Sequence, residues 1–271
     1  MTTDLPLSDF TDLQIAVRRL ETQSVAMKVA ERLGMPVEAI LRRLPKGAQD
    51  AVHSAVNRAL EQCLRVALKA GPRPGPFPRL ILPRKRTHTA AVAVSGAVGG
   101  FFGLPGLLVE LPITTTVMLH SIVEIARSQG ENLANPESAL ACLEVFALGP
   151  DRAPANALDS AYYVSRAALA QATREASSYL VQKGVTKEGA PALISFLGRV
   201  AARFGLEVSE KMAAELVPIA GAAGGLALNV LFSNHYQSLA EGHFTVRRLE
   251  RTYGTDVVRM HYERARLMLR A

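Results

Sequence analysis

The chain has 271 residues, 49% of them hydrophobic and 20% charged, with a formal net charge of +7 and a pI near 9.7. That length can bury a large core in one domain, or in one domain with an appendage, and the composition argues against disorder over most of the chain. Trp is absent and aromatics make up 6%, which leaves little material for an aromatic belt or a base-stacking platform. The positive balance favours contact with phospholipid head groups or nucleic acid phosphate.

Met1-Thr2-Thr3-Asp4-Leu5-Pro6 lacks the basic start and continuous apolar run of a secretory signal, so a cytosolic origin is expected. Residues 8–33 read as an amphipathic helix capped by Ser8, with Leu13, Val17, Leu20 and Ser24 to Met27 recurring at intervals of three or four and Gly34 as its stop. Pro36 opens a short helix to Leu44, ended by Pro45. From about Lys46 to Ala70 a longer helix places Val52, Val56, Ala59, Cys63 and Ala67 on one stripe, opposite Asn57, Arg58, Glu61 and Arg65. Residues 71–83 carry Pro at 72, 74, 76, 78 and 83, a density that forbids a helix and favours an extended connector. Arg73, Arg79, Arg84, Lys85 and Arg86 make that connector basic. It is either a solvated linker or an electrostatic tether.

From Thr89 to Leu119 the chain runs for 31 residues with one formal charge, Glu110. Gly103-Leu104-Pro105-Gly106 breaks it in the middle. Gly96, Gly99, Gly100 and Gly103 fall on one helical face, which allows another backbone to approach closely. The arm from Thr89 to Gly103 would reach only about 22 Å, less than the roughly 30 Å of a bilayer core. A hairpin that enters one leaflet, or stays buried in protein, fits better than a spanning helix. The continuation through Ile122, Ile125 and Ala126 ends at Gly130. A helix from about Pro136 to Leu148 follows, then an Ala-rich one over 155–182 that ends near Gly184. Pro191 opens a helix to about Phe204, and Val208 to Leu216 makes a further short one. Leu216 to Phe232 is a second uncharged stretch of 17 residues, with Gly221, Gly224 and Gly225 repeating the glycine pattern. The two glycine faces are expected to be neighbours. A last helical tract from about Leu239 to Arg270 is rich in arginine. No run of alternating strands with hairpin turns is present, and the expected fold is all-α. It is a multi-helix bundle around two glycine-rich apolar segments, which form a central hairpin and a packed partner helix. The organisation is 1–70 as N-terminal amphipathic helices, 71–86 as a basic Pro-rich linker and 87–271 as the main helical domain.

Polar residues in apolar surroundings are the candidates for chemistry. Glu110 is the lone carboxylate of the first stretch, and His120 and Glu124 lie one turn apart on one face. A His and a Glu can bind a metal only with a third ligand, and no His-Glu-x-x-His pattern exists. His235, Glu241 and His243 form a second polar knot, compatible with a network to Arg247 or Arg248. Asn229 inside the second apolar stretch needs a partner if buried. Serine-nucleophile, phosphate-loop and dinucleotide signatures are absent. Cys63 and Cys142 fit neither a disulfide scaffold nor a zinc spacing and read as buried free thiols.

Several of these segments resemble the EcsC protein family. They are Gly96-Ala-Val-Gly-Gly-Phe-Phe-Gly-Leu-Pro-Gly-Leu-Leu-Val-Glu-Leu-Pro, Ile122-Val-Glu-Ile-Ala-Arg-Ser-Gln-Gly and Cys142-Leu-Glu-Val-Phe-Ala-Leu-Gly, with Val217-Pro-Ile-Ala-Gly-Ala-Ala-Gly-Gly, Asn229 and His243-Phe-Thr-Val-Arg-Arg-Leu-Glu. The resemblance covers roughly residues 85–255. It implies a bacterial helical protein whose namesake gene neighbours an ABC exporter, and it brings no settled activity. Glu110, Asn229, His243, Arg247 and Arg248 are the matching polar positions.

The expected function is membrane association, as a non-enzymatic protein peripheral at the cytoplasmic face of the cell membrane. Phe101, Phe102, Leu104 and Leu107 of the hairpin and the basic flank Arg84, Lys85 and Arg86 would contact anionic lipid or a membrane protein complex. No cofactor or metal and no nucleic acid partner is expected. Two alternatives stay open: a hydrolase or metal enzyme using Glu110, His120, Glu124 or His243, and a soluble helical adaptor.

Overall fold

The computed structural model describes residues 4–21, 47–70, 110–149, 160–184, 190–215 and 221–270, with side chains throughout except at 48, 213–215, 221–227 and 270. Residues 22–33 of the helix expected over 8–33, the helix expected over 36–44, the Pro-rich linker and the hairpin glycines Gly96, Gly99, Gly100 and Gly103 lie outside these residues. So do Arg84, Lys85, Arg86, Phe101, Phe102, Leu104 and Leu107. Among the described residues every regular element is helical, and the protein is an all-α bundle.

Helix α1 (Leu7–Leu20) buries Leu13, Ala16, Val17 and Leu20, the stripe its spacing requires. Its N-cap is Pro6 rather than Ser8, which sits inside the first turn: the Phe10 N–H donates to the Pro6 carbonyl at 2.9 Å. Helix α2 (Ala48–Lys69) buries Val52, Val56, Ala59, Cys63 and Ala67 and turns Arg58, Glu61 and Arg65 outward. Burial pushes the Cys63 thiol up to about 12 and moves Cys142 in the same direction, so both remain protonated core thiols.

Helix α3 covers 110–128 of the described chain. It ends in a Schellman turn: Gly130 adopts φ 80°, its N–H donates to the Arg127 carbonyl at 3.0 Å, and the Glu131 N–H reaches the Ala126 carbonyl at 3.0 Å. Asn135 then caps α4 (Pro136–Glu144) by accepting from the Glu137 N–H at 3.0 Å, with Pro136 at the first helical position. A 3₁₀ turn over Val145–Ala147 follows, and both pieces are almost wholly buried. Helix α5 (Ala161–Lys183) starts later than the expected residue 155, because Ser160 is extended and its hydroxyl takes the Tyr163 N–H at 3.3 Å. Gly184, at φ 68°, ends it as expected.

Helix α6 (Pro191–Glu215) is one element where the sequence suggested two. Gly205 costs about 1 kcal/mol in a helix interior, but the buried row Phe196, Val200, Phe204, Val208 and Met212 continues unbroken across it. That packing outweighs the propensity. Conversely, the tract expected from Leu239 to Arg270 is divided. Helix α7 (Gly221–Tyr253) and helix α8 (Thr255–Arg270) are separated by Gly254 at φ 88°. Gly221, Gly224 and Gly225 therefore belong to the first turns of α7.

At 33 residues, α7 is about 50 Å long and forms the spine of the bundle. Helices α1, α6 and α8 and the 3₁₀ turn all pack against it; α2 lies against α4 and α6, and α5 bridges α4 and α6. The core centres on Phe146, Phe204, Phe232 and Tyr236, with ring centroids 4.8 Å apart for Phe146 and Phe204 and 5.1 Å for Phe232 and Tyr236. Helix α1 runs antiparallel to the C-terminal half of α7, held by Arg19 to Glu241 at 2.7 Å, Asp12 to Arg248 at 2.6 Å and Asp9 to Tyr253 at 2.5 Å. Between these contacts the two backbones come close at Gly242, where an added Cβ would lie 2.7 Å from Leu20 Cγ and 3.0 Å from the Ala16 carbonyl oxygen.

Candidate functional site

Three buried polar clusters lie along α7, and each anchors a different part of the chain to it. The first joins the two apolar stretches. Asn229, 1% exposed, donates from Nδ2 to Glu110 Oε1 at 2.6 Å, and the Thr114 hydroxyl donates to the same oxygen at 3.2 Å. Thr114 is placed by helix periodicity, four residues after Glu110. Asn229 Oδ1 is buried and accepts no hydrogen bond, although a buried amide oxygen ordinarily finds a donor. Both donors to Glu110 are neutral. Two of the polar candidates read from sequence thus meet, across 119 positions of chain.

The second cluster closes the turn after α3. Glu131 receives Arg247 through Nε at 2.8 Å and Nη2 at 3.3 Å, the Ser138 hydroxyl at 2.7 Å, and a further bond from Arg251 Nη1. Burial alone would raise the Glu131 carboxyl, yet Arg247, Ser138 and Arg251 outweigh it and hold the group below its usual range. The opposed contributions leave Arg247 more firmly protonated than usual. Removing the Glu131 carboxylate would strand the largely buried Arg247, a loss of about 3–5 kcal/mol.

The third cluster contains His243, fully buried, with its Nδ1 3.1 Å from the Tyr162 hydroxyl. Arg166 donates to Tyr162 Oη at 3.3 Å and to Glu250 Oε1 at 2.7 Å, and Tyr163 donates to Glu250 at 3.3 Å. One proton lies between the Tyr162 hydroxyl and Nδ1, on the oxygen or on the ring according to the tautomer, and the other ring nitrogen is Nε2. That nitrogen has no partner. Burial, then the nearby Arg166 and Arg247, push His243 well below the usual histidine range, so it is neutral. Burial raises the Tyr162 and Tyr262 hydroxyls. Tyr262 stacks on Tyr162 with centroids 5.4 Å apart and donates to Glu21 at 3.0 Å.

The remaining candidates disperse. His120 Nδ1 lies 2.9 Å from its own helix's Thr116 carbonyl, and Glu124 is half-buried one turn further on. His235, Glu241 and His243 do not form one knot. Glu241 pairs with Arg19, His235 packs edge-on to Tyr236, and His243 turns to Tyr162. Arg248 links α7 to Asp12 of α1, not to a histidine. Among the described residues no three His, Cys, Asp or Glu side chains are grouped so as to hold a metal. Sequence reasoning missed Glu131, Tyr162, Arg166 and Glu250. The available signal was the spacing His243, Arg247, Glu250, which is i, i+4, i+7 and places the three on one face of the helix.

These features define a helical-bundle protein with a polar face on its central helix, and no helix of the described residues is long and apolar enough to cross a membrane. The chain belongs to the EcsC protein family, whose model matches residues 13–249, from within α1 almost to the end of α7. Neither a curated protein nor a solved structure matches it.

Proposed function

We propose that this EcsC-family chain is a peripheral membrane protein that docks on anionic lipid at the cytoplasmic face of the cell membrane, through the end of the bundle marked by Glu110 and Asn229. The observation that carries the reading is their 2.6 Å hydrogen bond. It joins Glu110, within the uncharged stretch 89–119, to Asn229 of α7, within the uncharged stretch 216–232. Ile113 and Leu231, 55% and 46% exposed, follow Glu110 and Asn229 within one helical turn on α3 and α7 and present apolar side chains to solvent.

Charge adds to the apolar term. Arg247 and Arg251 are committed to Glu131, and Arg84, Lys85 and Arg86, just ahead of the first stretch in sequence, supply the basic flank. Each such residue near an anionic surface contributes about 1 kcal/mol, and the contribution is screened by salt. Flotation of the purified chain with phosphatidylglycerol vesicles tests the reading. The protein is expected to float at low salt and to be partly released at high salt. Recovery in the soluble fraction at low salt would overturn it and leave an adaptor role in solution.

A further inference from the structure

We propose that Glu110 and Asn229 form a binding site for a primary ammonium group, which the docked protein takes from the head group of an aminophospholipid. The inference rests on the docking reading for the source of the amine, not for the site itself.

Two properties of the pair point to such a ligand. Glu110 is 7% exposed, and its carboxylate receives hydrogen bonds from two neutral donors, Asn229 and Thr114. A carboxylate so placed is stabilised most by a group that brings positive charge as well as a donor. Beside it, Asn229 Oδ1 is buried with no donor at all. The two residues are in direct contact, so one small ligand can reach both acceptors. A primary ammonium supplies the charge and three N–H donors from a single atom: one for the carboxylate, one for the amide oxygen and one for water or for the ligand's own phosphate. A quaternary ammonium carries the charge without the donors, and a neutral hydroxyl carries a donor without the charge. Calcium takes six to eight oxygens, more than the two residues offer.

The test has a solution arm and a vesicle arm. In solution, the melting temperature of the full chain is followed with ethanolamine, choline or sodium chloride at equal ionic strength. Ethanolamine is expected to raise it through mass action and the other two to leave it unmoved. Glu110→Gln, with circular dichroism confirming its fold, should weaken the ethanolamine response about tenfold, and Asn229→Ala serves as the second variant. An equal response to choline, or no response to ethanolamine, overturns the site. In the vesicle arm, phosphatidylethanolamine replaces phosphatidylcholine at a constant phosphatidylglycerol fraction. Tighter binding to the ethanolamine vesicles is expected. An ethanolamine response in solution without that preference would overturn the lipid source and assign the site to a soluble amine. Failure to float on any vesicle would remove the docking reading, and the solution arm would still decide the site.

Discussion

His243 shows how a single buried residue sets a pH dependence. It is neutral in the fold because burial, Arg166 and Arg247 all oppose its proton, whereas in the unfolded chain it titrates near 6.5. With the folded pKa depressed, its contribution to stability is complete above about pH 6.5 and is lost as pH falls below that value. At pH 5 the loss is at most about 2 kcal/mol. The carboxylate contribution of Glu131, also depressed, begins to disappear only below about pH 4.5, so the two windows separate. Thermal melts of the wild type from pH 8 to 5 should therefore fall more steeply than those of His243→Gln, which starts lower and stays flatter. Parallel curves for the two proteins would show that the imidazole does not titrate in this window. Comparing the two proteins cancels the contribution of the other histidines.

At the scale of elements, the decisive contact is the crossing of α1 and α7 at Gly242. Alanine there gains about 1 kcal/mol of helix propensity and valine only a few tenths, but either drives into Leu20 and the Ala16 carbonyl, and overpacking costs about 1–3 kcal/mol or more for a branched group. Gly242→Val is expected to destabilise the protein by about 2–3 kcal/mol in chemical denaturation, and Leu20→Ala in the same chain to recover part of the loss. An unchanged midpoint would mean that α1 is not seated where Gly242 places it. This contact also marks what the sequence could not reveal. The stripe of α2, the Pro136 start and the Gly130 and Gly184 stops were legible because each depends on residues within a turn or two. Gly242 gave no signal, because one glycine among polar neighbours does not announce a crossing more than two hundred residues away in sequence. Gly205 gave a misleading one, since a local breaker was outweighed by the buried row beneath it. The candidate site divides along the same line. Glu110 and Asn229 stood out as polar residues in apolar surroundings, whereas Tyr162, Arg166 and Glu250 stood in ordinary amphipathic stretches and became a cluster only when α5 met α7.

Across the whole molecule, α7 separates two ends with different surroundings. Its N-terminal third carries Asn229, the contact to Glu110 and the exposed Leu231, with the exposed Ile113 on α3 one turn from Glu110. Arg248, where α1 is tied on, lies about 28 Å further along the axis. On that side α8 exposes Leu267 and Met268 beside Gln14 of α1. Apolar side chains are exposed at both ends, and the docking surface proposed is the one at the Glu110 end. Flotation on phosphatidylglycerol vesicles at low salt, comparing Ile113→Asp/Leu231→Asp with Leu267→Asp/Met268→Asp, tests that assignment most directly. The first pair is expected to leave the vesicle fraction while the second floats like the wild type. Retention of the first pair with loss of the second would contradict the account and move the docking surface to the opposite end of the bundle.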